Sequence, residues 1–221
     1  MIAVFQWFVR ITGCILFWIL LPTKLHYEDK SAQNRFIKGR AILMSNHRTV
    51  MDVGVMLFVF FSRTLRCLAA ELMYQKNFFM TLFLKGIGAI KVDRYSNNFE
   101  WMNKANKVLD KGGVIEIYPE ARIPKPDEET PLPFKPSVVH LALTSNAPII
   151  PVFNQGVYFK GKLNHMIVGK PIYVREWYDT SLSEKENIAA ICEKLRNKVI
   201  ELENELNRQL DNSQAKDKKV Q

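Results

Sequence analysis

The sequence predicts an α/β fold: a mixed, mostly parallel sheet of about seven strands with helices on both faces, preceded by a separate apolar helix. Three observations carry that prediction. Downstream of Pro22, short apolar runs alternate with stretches of helical period, and Gly86, Gly88, Gly112 and Gly113 punctuate the joints. Alternation of this kind builds a sheet covered by helices. Residues 2–21 are almost wholly apolar and stop at Pro22. Finally, 221 residues that are 48% hydrophobic and 11% aromatic can pack one sizeable core, which excludes wholesale disorder.

The first element is IAVFQWFVRITGCILFWILL, residues 2–21, which approaches the length of a bilayer-spanning helix. Gln6, Arg10 and Gly13 recur at helical spacing and draw a thin polar stripe along it. An Arg inside a span costs roughly 2.5–3.5 kcal/mol, so a helix lying in the membrane interface is preferred over a span or a buried core helix. A cleaved leader fits worst, because no charge precedes Arg10 and bulky residues run up to Pro22. Trp7, Trp18 and Tyr27, with Lys24, Lys30, Arg35, Lys38 and Arg40, supply the aromatic and basic collar of an interfacial segment. Residues 1–22 are therefore assigned as a membrane-associated anchoring helix.

The α/β domain is assigned to residues 23–183. Strands are expected at 23–29, 40–45, 66–70, 88–92, 113–118, 149–154 and 164–169, and helices at 49–61, 71–85, 98–111 and 137–145. Between residues 119 and 136 six prolines forbid regular structure, and a long loop inside a compact domain tends to be functional. The Phe-rich run 78–84 offers a wall for an acyl chain, but bulky apolar residues at helical spacing read first as core. Residues 184–210 form a long helix whose stripe, Ile188, Cys192, Leu195, Val199, Leu202 and Leu206, is spaced for docking on its own domain. A frayed tail is expected at 211–221.

Charge and cysteine usage narrow the partners. Thirty-one Lys and Arg against 22 Asp and Glu leave +9, which favours anionic partners. No nucleic-acid module is recognisable, so lipid headgroups and phosphorylated small molecules lead. Cys14, Cys67 and Cys192 are odd in number, far apart and without Cys-x-x-Cys spacing, so neither a disulfide framework nor a metal site is expected. A reducing, cytoplasmic setting follows.

The chemistry gathers in AILMSNHRTVMD. His47 stands just past a strand and Asp52 five residues on, inside the following helix. On one helix the two would lie about 140° apart, so they meet only if His47 occupies the turn before it. An imidazole suits proton removal near neutral pH, and a carboxylate on its other nitrogen fixes the tautomer and stabilises the imidazolium. The spacing arises by chance roughly one time in seven, so strand-end placement has to support it. An esterase is disfavoured, because no Gly-x-Ser-x-Gly elbow occurs.

Four segments, in order, resemble the glycerophospholipid acyltransferase family. They are Asn46-His47 with Asp52; Gly88 to Arg94 (GAIKVDR); Tyr118-Pro119-Glu120-Ala121-Arg122; and Ala147 to Val152 (APIIPV). The resemblance covers about residues 23–170. It implies acyl transfer from a thioester, acyl-CoA or acyl carrier protein, to the free hydroxyl of a lysophospholipid. The foremost acceptor is 1-acylglycerol-3-phosphate; glycerol-3-phosphate, another lysolipid, or a non-catalytic membrane-binding role are the alternatives. His47 is then the general base and Asp52 its orienting partner, while Arg94, Arg122, Lys91 and Glu120 bind substrate; no metal or resident cofactor is implied. Guanidinium groups suit bidentate phosphate binding, which agrees. A cytosolic donor and a lipid acceptor place the enzyme on the cytoplasmic face of a membrane. Ala121 departs from the family's usual Gly, so a turn needing positive φ is strained there.

Overall fold

The computed structural model describes residues 1–93, 99–159 and 161–220, the side chains of 216–220 excepted. Among those residues, seven strands form one sheet: β1 (Thr23–Tyr27), β2 (Ala41–Ser45), β3 (Leu65–Ala70), β4 (Ile90–Val92), β5 (Val114–Ile117), β6 (Ile149–Asn154) and β7 (Asn164–Val168). Their order across the sheet is β1-β7-β6-β2-β5-β3-β4. Pairing is parallel throughout except between β6 and β7. That exception follows from the connection of residues 155–163, too short to carry the crossover a parallel pair needs. The mixed, mostly parallel sheet expected from the sequence is the sheet observed.

Helices α1 (Ile2–Leu20), α2 (Asp52–Val59), α3 (Glu71–Gln75), α4 (Phe78–Ile87), α5 (Glu100–Asp110), α6 (Ser137–Ser145) and α7 (Glu184–Val220) cover the two faces. The central strand β2 shows why. Ile42 and Met44 point into one apolar cluster with residues of α5, α6 and α7. Ala41 and Leu43, facing the other way, join Phe17 of α1 and Val55 and Met56 of α2. Period-two side chains thus give each face its own dry layer. A third cluster lies beneath α1 and α4, around Leu57, Cys67, Leu84 and Ile87.

Several boundaries differ from the sequence reading. The helix expected at 71–85 is two helices, because Asn77 caps α4: its side chain accepts the Met80 N–H at 2.7 Å. Gly88, at φ 74°, closes α4 in the left-handed region, where a Cβ is unfavourable. Helix α2 begins at Asp52, three residues later than expected. Helix α7 continues to Val220, past residue 210 where the sequence reading ends it. The Phe-rich run is not core on its outer side: Phe78 and Phe79 are more than 70% exposed, while Leu84 is buried.

The largest surprise is the orientation of α1. Its polar stripe faces inward and is buried. The Gln6 amide donates to the carbonyls of Leu65 (2.6 Å) and Ile87 (2.8 Å) and accepts the Leu65 N–H (3.2 Å). The Arg10 guanidinium donates to the carbonyls of Leu57 (2.9 Å) and Arg63 (2.7 Å). Leu57 and Ile87 lie in the last turns of α2 and α4, Leu65 opens β3 and Arg63 lies in the turn between α2 and β3, places where carbonyls otherwise go unpaired. Gly86 allows the close approach, since a Cβ there would fall 2.4 Å from the Phe5 ring. Outside, Val4, Phe8, Ile11, Ile15, Trp18 and Ile19 are all exposed.

Candidate active site

Strands β2, β5 and β6 are neighbours and parallel, so their carboxyl ends meet on one edge of the sheet. Such edges are where open α/β sheets gather ligands. β2 delivers Asn46 and His47, β5 delivers Tyr118 and Glu120, and β6 ends at Asn154. The turn 46–51 lies between β2 and α2, so His47 precedes the helix as its pairing with Asp52 requires.

His47 Nδ1 and Asp52 Oδ2 are 2.8 Å apart. Asp52, the first residue of α2, is 1% exposed and accepts from every side. Its Oδ2 also takes the backbone N–H groups of Arg48 (2.7 Å) and Thr49 (2.8 Å). Its Oδ1 takes the Tyr158 hydroxyl (2.8 Å) and the Asn154 amide (3.2 Å). A carboxylate is the acceptor-only group that such a ring of donors suits, and the helix N-terminus favours an anion there. With Nδ1 engaged, Nε2 has no hydrogen-bond partner among the described residues, and the side chain is 16% exposed, enough to meet a ligand. The pair can therefore take a proton on Nε2 and stabilise the resulting imidazolium.

Around this pair the sheet supplies a frame. Asn46 donates to the Asn154 carbonyl (2.9 Å) and accepts its N–H (2.8 Å), extending the β2–β6 ladder by one side chain. Asn154 also reaches the Tyr158 hydroxyl and accepts from Asn164. Burial beside Asp52 holds the Tyr158 hydroxyl far above its ordinary range, so it stays a donor. The Tyr118 ring stacks on the His47 imidazole with centroids 4.4 Å apart. Asn154, Tyr158 and Tyr118 as partners of the pair escaped the sequence reading, although a polar Asn ending the apolar run IIPVFN was a visible signal.

The expected substrate-binding residues do not converge equally. Glu120 is buried against the pair, with Oε1 accepting the His47 N–H and Oε2 the Leu132 N–H, each at 2.8 Å. Burial pushes its carboxyl up, and those two N–H groups pull against that. It ties the His47 turn to the 119–136 loop. Arg122 lies at the surface in a two-pronged pair with Glu128 (2.5 and 2.7 Å). That pairing lifts the guanidinium pKa and holds Glu128 down at about 2. Lys91 is exposed and pairs with Glu71 at 2.7 Å, on the edge strand β4, which β5 and β3 separate from β2. Arg94 lies outside the described residues. Ala121 adopts φ 61°, the strained turn its sequence position predicts. Arg48 spans from the Thr130 hydroxyl (2.9 Å) toward Glu203 of α7 (3.8 Å), bracing the loop. Among the described residues, no group of three or more His, Cys, Asp or Glu side chains gathers as a metal site.

A strand-end His-Asp pair on a helix-covered, mostly parallel sheet defines an α/β domain equipped for proton transfer at its carboxyl edge. The chain belongs to the acyltransferase family, whose model matches residues 23–155. It is 32% identical over 130 residues to the 1-acyl-sn-glycerol-3-phosphate acyltransferase of Bacillus subtilis, covering 56% of this chain and 62% of that protein. It is 26% identical over 161 residues to the enzyme of that name from Cocos nucifera, covering 72% and 50%. The chain thus spans between half and two thirds of the length of these relatives. The crystal structure of the 1-acyl-sn-glycerophosphate (LPA) acyltransferase of Thermotoga maritima superposes with a TM-score of 0.61 at 20% identity, covering 91% of this chain and 79% of that one. That likeness is one of fold.

Proposed function

We propose that the protein transfers a fatty acyl group from a thioester, acyl-CoA or acyl carrier protein, to the free hydroxyl of 1-acylglycerol-3-phosphate, yielding phosphatidic acid. The observation that carries this reading is the 2.8 Å contact of His47 with a buried, fully solicited Asp52 at the sheet's carboxyl edge. The names of the curated relatives support the choice of acceptor.

In the reaction, His47 Nε2 takes the proton of the acceptor hydroxyl as its oxygen attacks the thioester carbonyl. The imidazolium, steadied by Asp52, then returns that proton to the departing thiolate as the C–S bond breaks. The acyl group passes directly between donor and acceptor, with no group bound covalently to the protein and no resident cofactor. Arg122 serves the acceptor phosphate by exchanging Glu128 for it, and Arg94 assists. The exposed apolar side of α1, continued by Phe78, Phe79 and Leu82 of α4, rests on the cytoplasmic surface of the bilayer in which the acceptor resides.

The test is acyl transfer from oleoyl-CoA to lysophosphatidic acid by the purified chain in mixed micelles, with phosphatidic acid identified by mass. His47→Ala is expected to lower the rate at least about a hundredfold, as for a lost general base. A drop below about tenfold, or thiol release without phosphatidic acid, would overturn the reading.

A further inference from the structure

Directly beneath the His47 platform lies a carboxyl group for which acyl transfer by the His47–Asp52 pair has no use. Glu116 sits in the middle of β5, between Leu43 of β2 and Cys67 of β3, and is 1% exposed. A strand buried on both faces is an expensive place for an acid without a cation. Its hydrogen bond comes from the Tyr118 hydroxyl, 2.5 Å from Oε1. Tyr118 in turn is the residue whose ring stacks on His47, 4.4 Å between centroids and 27° between planes. Glu116 also borders a cavity of about 10 Å³ shared with Gln6 of α1, Leu57 of α2 and Ile87 of α4.

We propose that Glu116 is a positioning residue for acyl transfer: buried in the core, it anchors the Tyr118 hydroxyl, and the anchored ring holds the His47 imidazole in the plane that meets Asp52. The proposal rests on His47 acting as the base. Stacking alone leaves a ring free to slide. A hydrogen bond at the far end of the tyrosine removes that freedom, and pre-organisation of a base is worth rate because no reorientation is needed as the proton moves.

The surroundings explain why the acid stays protonated. Facing it are Tyr118 from its own strand, Cys67 from β3, Asp52 from α2 and the neutral amide of Gln6 from α1; the Tyr158 hydroxyl lies beyond Asp52. The Arg10 guanidinium on α1 is turned to backbone carbonyls. Burial therefore pushes the carboxyl up to about 8. Ionisation would place a second buried anion near Asp52 and set it against the Tyr118 hydroxyl that steadies the His47 ring. The sign for folding is the reverse of a salt-bridged acid. A carboxyl raised in the folded state favours folding most below its ordinary value near 4.5, and that advantage fades as pH rises to about 8.

The experiment measures kcat and KM for transfer from oleoyl-CoA to lysophosphatidic acid between pH 6 and 9.5, with urea melts at each pH. Tyr118→Phe and Glu116→Leu are expected to lower kcat about fivefold at unchanged KM, the effect of one lost neutral hydrogen bond. Glu116→Gln, which accepts the same bond and cannot ionise, should keep kcat within about twofold at pH 7. It should also abolish the fall in kcat near pH 8 and the loss of stability that the parent shows from pH 6 up to about 8. Wild-type kcat in Tyr118→Phe, or a Glu116→Gln profile that still bends near pH 8, overturns the proposal. Full activity in His47→Ala strikes instead at the reading beneath it, and so the two failures are told apart.

Discussion

Helices α1 and α7 stand at the two ends of the chain and pack on opposite faces of the same sheet, yet they are built inside out with respect to each other. α7 buries Ile188, Ile191, Leu195, Val199, Leu202 and Leu206 and turns its charges outward. α1 buries Gln6 and Arg10 and turns isoleucines, Phe8 and Trp18 outward. For α7, water lies outside, so the apolar stripe drives docking. For α1, side-chain hydrogen bonds to four backbone carbonyls join the buried Phe17 in docking the helix, and most of its apolar surface is left exposed. One physical rule, each face matched to its surroundings, gives opposite arrangements if, as proposed above, one helix faces water and the other faces lipid.

Three substitutions can break or sharpen that contrast. Leu195→Ala in α7 should cost about 2–5 kcal/mol in urea unfolding, the range for a fully buried leucine truncated to a cavity. Arg10→Leu in α1 makes the helix more apolar, yet should cost about 2–3 kcal/mol, since two buried carbonyls lose charged donors. If Arg10→Leu stabilises the protein in detergent-free solution, the inward orientation of the stripe is wrong. Ile15→Ser, on the outer face, should change unfolding by less than about 0.5 kcal/mol. Its effect belongs elsewhere: sedimentation with phosphatidylcholine and phosphatidylglycerol vesicles should weaken about tenfold, as one buried aliphatic side chain implies. Equal vesicle binding by Ile15→Ser and the parent would remove the membrane from the interpretation of α1.

Much of the fold was legible because burial leaves a strong local mark. Strands β2 and β6 are unbroken apolar runs, and the α7 stripe repeats at alternating four- and three-residue steps. The break between α3 and α4 was not legible, because Asn77 fits the helical period as a polar residue and acts as a cap only once Met80 is placed. In the site, His47 and Asp52 are near in sequence and were readable from spacing and strand-end position. Asn154 and Tyr158 come from about a hundred residues away, and only the β2–β6 pairing brings them to Asp52. The family resemblance suggests Arg122 as a phosphate ligand, but its pairing with Glu128 is not legible, because that depends on the path of the proline-rich loop. Glu116 carries no mark in the short apolar run GVIEIY that sets it apart; its interest appears only when neighbours on both sides seal it from water.

The amino-acid order alone determined that there would be strands and helices in alternation, that α1 would have a greasy side and a polar one, and that His47 would stand in a turn with Asp52 within reach. Periodicity is a property of a segment and needs no partner to be read. Only the tertiary structure decided which side of α1 turns inward, which distant groups encircle Asp52, and which acids lose their water. Those are questions of what lies across a contact, and a one-dimensional pattern records that a face exists without recording what it meets.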